Sequence, residues 1–145
     1  MLFQDDIVSV MGLYEYLDRT CTHELVYWNL YTWPENMRSE TGWVLSNQKG
    51  RGALGLVFSR EALLCLLGSK MFWEHRMDAH SGSKCDDRAV ITTMNANGYK
   101  EMVHNPSLLQ HTGVELSVAR NQLEVLTTPA FPGEDYDVCE QLLRR

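Results

Sequence analysis

The chain contains no apolar run approaching the ~20 residues that cross a bilayer, so no membrane span is expected. The Met1-Leu2-Phe3 start meets Asp5 and Asp6 with no basic stretch or cleavage site between, which suggests a soluble, cytoplasmic protein. Cysteine is scarce. Cys21, Cys65, Cys85 and Cys139 stand far apart, in no C-x-x-C or Cys/His spacing, which argues against a zinc site or disulfide framework and for free thiols in a reducing compartment. There is no excess of positive charge either: 13 Lys and Arg against 19 Asp and Glu give a net charge of -6, mixed along the chain. Nothing here makes the basic patch that holds a phosphate backbone, so nucleic acid is not an expected partner. No repeat and no low-complexity linker divides the 145 residues. What remains is one domain's length with 44% hydrophobic residues, enough for a real core.

The order of elements reads as mixed α/β. Leu2 to Gln4 has the look of a buried strand ending at Asp5 and Asp6, and Ile7 to Leu17, with Val10, Leu13, Tyr14 and Leu17 at helical spacing, predicts a helix after the acids. Glu24 to Tyr31 reads as a strand, closed by a turn at Trp33-Pro34-Glu35-Asn36. Trp43 to Leu45 and Ala53 to Phe58 suggest two strands on either side of a glycine-rich turn, Asn47 to Gly52. Ser59 is a plausible N-cap for a helix through Leu67, with Leu63, Leu66 and Leu67 on one face and Gly68 as its stop. Residues 69 to 84 read as a polar, mobile loop; a helix then carries Val90, Ile91 and Met94 to Asn97-Gly98, and Tyr99 to Val103 follows as a strand. Beyond Thr112, Glu115 to Leu126 forms an amphipathic stretch before Pro129, Pro132 and Gly133.

Four features bear on chemistry, each with an ordinary structural alternative. Gln4-Asp5-Asp6 places carboxylates at a strand end, where hard oxygen ligands hold Mg²⁺ or Mn²⁺ against phosphates, or where an acid simply caps a helix. Gly50-x-Gly52-x-x-Gly55 lets backbone approach a ligand closely, but equally suits a hairpin turn. Cys85-Asp86-Asp87 opens a helix, where two acids complement the macrodipole and one of them can take a proton from a sugar hydroxyl. His111, in Pro106-Ser107-Leu108-Leu109-Gln110-His111-Thr112-Gly113, is either hydrogen-bonded scaffold or a neutral metal ligand whose mates would be Asp5 or Asp6. His23, His75, His80 and His104 lack such company and read as surface or loop residues.

The order of these features resembles glycosyltransferases of the GT-A fold, in which an acidic metal motif, a glycine-rich segment, an acidic base motif and a late histidine follow one another. The correspondence runs through Gln4-Asp5-Asp6, Gly52-Ala53-Leu54-Gly55, Cys85-Asp86-Asp87 and His111, and covers roughly residues 2 to 113. It implies a partial GT-A-like mixed sheet flanked by helices: residues 1–113 as a catalytic-half domain, residues 114–145 as its helical or irregular tail. It further implies that Asp6 and His111 bind a divalent metal, that Asp5 assists at the metal or the ribose, and that Gly52, Ala53, Leu54 and Gly55 lie near a donor sugar. Asp87 would be the base that deprotonates an acceptor hydroxyl, with Asp86 beside it, in an inverting transfer from a nucleotide sugar. Trp33, Trp43, Trp73 and the 69–84 segment would stack on or cover the acceptor, or pack in the core. Family members carry a nucleotide-binding half of alternating strands and helices before the first acidic motif, and here three residues precede it. The resemblance therefore also predicts an exposed apolar face, covered by a homo-oligomer or another chain.

Overall fold

The computed structural model describes residues 1–3, 7–50, 52–77, 86–112 and 127–143. It is a mixed α/β fold: a five-stranded mixed sheet with helices on both faces, and a two-stranded ribbon beside it. The strands of the large sheet are β1 (Leu2–Phe3), β3 (Val26–Asn29), β4 (Gly42–Leu45), β5 (Gly55–Val57) and β6 (Lys100–Asn105), in the spatial order β1-β5-β3-β6-β4. Only β3 and β6 run parallel, with Trp28 opposite Met102; the other pairs are antiparallel. The ribbon joins β2 (Ile7–Ser9) to β7 (Leu109–His111).

Because side chains alternate across a strand, neighbouring residues of the sheet feed opposite cores. Trp28 and Val57 pack with Tyr16, Leu17 and Val138, on the side of α1 (Leu13–Thr20) and α5 (Val138–Leu142). Tyr27 and Leu56 pack with Ala62, Leu66, Ile91 and Met94, on the side of α2 (Arg60–Gly68), α3 (Lys70–Met77) and α4 (Asp86–Ala96). Ser59 caps α2 as its sequence suggests, its hydroxyl accepting the Ala62 N–H. Leu66 is buried on that helix, whereas Leu67 is exposed.

Several expectations are corrected. The segment after the acids is not helical from Ile7: Ile7–Ser9 is a strand, and helix begins at Leu13, after Gly12 takes a left-handed φ of 72°. β-Branched Ile7 and Val8 suit a pleated pairing, and Val10, although at helical spacing, is buried as coil with its N–H on the Leu108 carbonyl. β1 is a strand but not a buried one. It is one of the two edge strands of the sheet as described, with Leu2 53% and Phe3 47% exposed. β4 and β5 do not form a hairpin; β4 pairs with β6, and β5 with β3 and β1, because the glycine-rich segment between them crosses to the start of α4. The 69–84 segment is in part a helix, α3, anchored by buried Phe72, while residues 78–85 and the amphipathic stretch Glu115 to Leu126 lie outside the described residues. Farther on, Asp137 accepts the Cys139 and Glu140 N–H groups and starts α5, an element with no marked sequence signature.

Candidate functional site

Asp87 stands in the first turn of α4, and its Oδ2 accepts two backbone N–H bonds, from Gly52 at 2.9 Å and Ala53 at 3.2 Å. The acidic and glycine motifs, 35 residues apart in sequence, are therefore in direct contact. Glycine is required for this approach. A Cβ on Gly50 would lie 2.3 Å from Ile91 Cγ2 and 2.9 Å from the Asp87 carbonyl oxygen, and one on Gly52 2.4 Å from Tyr31 Cδ1; both residues hold positive φ. Asp86 opens the same helix, but its side chain lies outside the described residues.

From Ala53 the chain descends into the core. Leu54 is buried, and Gly55 starts β5 so closely against the ribbon that a Cβ there would meet Leu109 Cδ1 at 2.4 Å and Phe3 Cδ1 at 3.0 Å. The glycine segment thus touches α4 at one end and β7 at the other. His111 ends β7. Its register partner is Ile7, the residue that follows Asp6 in the chain. Asp5 and Asp6 themselves lie outside the described residues. His111 is half-buried, and its Nδ1 is shielded from solvent with no hydrogen-bond partner among the described residues. Such an orphaned ring nitrogen has the donor chemistry of a metal ligand. Among the described residues no three His, Cys, Asp or Glu side chains gather into a metal site.

Cross-strand partners share a face, so Ile7, Ser9, Leu109 and His111 point to the same side of the ribbon. On that side lies an open groove of about 490 Å³ lined by Phe3, Ile7, Val10, Leu13, Leu17 and Leu109, among others. Its lining also includes exposed Met1 and Tyr14.

Two buried polar networks went unrecognised in the sequence. His104, read there as a surface or loop residue, is fully buried on β6 between Tyr16 and Trp43, edge-on to both rings. Its Nδ1 faces the Pro106 carbonyl at 2.6 Å, which can only accept, so Nδ1 carries the proton and Nε2 accepts from the Tyr16 hydroxyl at 2.8 Å. Burial lowers its pKa to about 4. Glu101, also on β6 and 2% exposed, receives the Asn29 amide and the Ser46 hydroxyl on its two oxygens. Burial raises its pKa above the ordinary carboxylate range, Ser46 and Asn29 oppose the rise, and the Asp87 charge adds to it. The one available signal was an acid inside an apolar strand pattern. The tryptophans divide: Trp33 and Trp43 pack against the α1-side core, Trp43 also donating to Thr20, whereas Trp73 is exposed and donates to the Leu67 carbonyl.

Compared with known proteins, the chain matches no protein-family model, no characterised protein and no solved structure. Among its described residues no helix is long and apolar enough to cross a membrane.

Proposed function

We propose that this chain is the metal-binding and catalytic part of a GT-A-type glycosyltransferase, a cytoplasmic protein that moves a sugar from a nucleotide-sugar donor to an acceptor hydroxyl with inversion. The observation that carries the reading is the ribbon register: Ile7, next in the chain to Asp6, lies directly across from His111, whose Nδ1 has no partner among the described residues. In this reading Asp6 and His111 would hold Mn²⁺ or Mg²⁺, with Asp5 beside them, and the metal would neutralise charge on the departing nucleoside diphosphate. Asp87, oriented by the Gly52 and Ala53 N–H groups, takes the proton of the acceptor hydroxyl. The acceptor oxygen then bonds to the anomeric carbon as the bond from that carbon to the diphosphate oxygen breaks. Asp86 lies next to the base, and Gly52 to Gly55 border the donor sugar. The apolar groove and the exposed residues of β1 would be covered by a second copy or another chain.

A second reading draws on the same Asp87 geometry. With Oδ2 held by two backbone N–H groups, Asp87 can serve as a brace for the glycine segment, leaving a sugar- or nucleotide-binding module without turnover.

The two are separated by a panel of nucleotide sugars with Mn²⁺. Metal-dependent thermal stabilisation lost in Asp6→Ala supports a metal site. Transfer or hydrolysis lost in Asp87→Asn, with melting temperature kept, supports catalysis over binding. No Mn²⁺ effect on melting in any nucleotide-sugar mixture would remove both.

A further inference from the structure

Glu101 is the most deeply buried acid among the described residues, and the donors around it are fixed in direction. Asn29 Oδ1 accepts the Tyr31 N–H, so the Asn29 amide nitrogen faces Glu101 Oε1 at 3.2 Å. Ser46 Oγ accepts from both the backbone and side-chain nitrogens of Gln48, each at 2.9 Å, which directs the Ser46 proton to Glu101 Oε2 at 2.6 Å. Both carboxyl oxygens are thus required as acceptors. Gln48 in turn treats the Glu101 backbone as a neighbouring strand would: its Nε2 donates to the Glu101 carbonyl at 2.8 Å, and its Oε1 accepts the Glu101 N–H at 3.1 Å. To do so Gln48 holds a left-handed φ of 57°, unusual for a residue with a Cβ.

We infer that Glu101 is a positioning residue for the glycine segment, gripping it at Ser46 and Gln48 while Asp87 grips it at Gly52 and Ala53, so that the two acids together set where those N–H groups meet the base. Between the two grips Gly50 lies flush on Ile91 and the Asp87 carbonyl, so a shift at either end is passed to the start of α4. The importance of this for the donor sugar rests on the transferase reading; the clamp itself does not.

Amide hydrogen exchange of the full chain tests the clamp without needing turnover. In Glu101→Gln the new amide group must face either the Ser46 proton or the Asn29 amide, donor against donor. The expected result is roughly fivefold or greater acceleration at residues 47–50 and 52–53, with α1 and β7 protected as in the parent. Ser46→Ala, which removes the hydroxyl's bond to the carboxylate but leaves the carboxyl and the Ser46 N–H bond to the Glu101 carbonyl, should do the same, and Ser46→Thr, which keeps the hydroxyl, should restore protection. Unchanged exchange in the glycine segment of Ser46→Ala overturns the inference, as does acceleration spread evenly over the molecule. If Glu101→Gln does not fold, the Ser46 pair decides alone. Loss of Mn²⁺ or nucleotide-sugar binding with the clamp intact would strike the transferase reading only.

Discussion

His104 shows how far one buried side chain can set the pH behaviour of this molecule. Its ring is neutral in the fold, with a pKa near 4 against 6.5 in an unfolded chain. The unfolded state therefore binds more protons between those values, and stability is full above pH 6.5 and falls as pH drops toward 4, by roughly 3 kcal/mol from this group. Glu101 acts in the opposite sense: its raised pKa means that stability is lost as pH climbs from 4.5 through the folded value. Urea unfolding between pH 4 and 7 should show a shallower acid-side slope in His104→Gln than in the parent; equal slopes would sink the assignment. At Gly50 the backbone, not a charge, decides. Gly50→Ala adds a Cβ into Ile91 at a φ of 62°, whereas Gly98→Ala meets open space at a φ of 84° and carries only the conformational cost. The first should destabilise by about 2 to 3 kcal/mol and the second by about 1 kcal/mol, measured by chemical denaturation.

At the scale of elements, α2, α4 and the five strands of the large sheet were legible in the sequence, whereas α3 and α5 were not. Ser59 and Gly68 bound α2 because a hydroxyl that satisfies an orphan N–H is a local device, visible in sequence. Ser59→Ala should therefore cost about 1 kcal/mol in thermal or denaturant unfolding, without touching the ribbon; no loss would mean that packing at Ala62 and Leu66 sets this helix start. α4 was legible in the same way, from its paired acids to Asn97-Gly98. The strand partners were not. β4 and β5 are separated by a glycine-rich segment that suits a hairpin turn, yet they lie apart, since that segment is bound to Glu101 at one end and Asp87 at the other. Ile7–Ser9 was missed for a related reason: three residues carry too little periodicity to be told from the first turn of the helix that follows.

At the scale of the whole molecule, the two cores on either side of the sheet leave an apolar region uncovered among the described residues, the groove beside the ribbon together with β1 and the Tyr14 side chain. An exposed patch of this kind favours association. Sedimentation velocity over a range of concentrations should show self-association that weakens in Phe3→Glu and Tyr14→Asp. A stable monomer at every concentration would count against a homo-oligomer formed through this face.

By itself the amino-acid sequence determined the mixed α/β class, the Ser59-capped helix α2, and the identity of the residues proposed for chemistry, because composition, caps and glycine positions act over a few neighbouring residues. Only the tertiary structure decided which of them meet: Asp87 with Gly52 and Ala53, His111 with Ile7, Glu101 with Ser46 and Gln48, and His104 with Tyr16. Those meetings join residues 34 to 104 positions apart. Strand register and the need to satisfy buried polar atoms select such pairs, and neither constraint exists until the sheet has assembled.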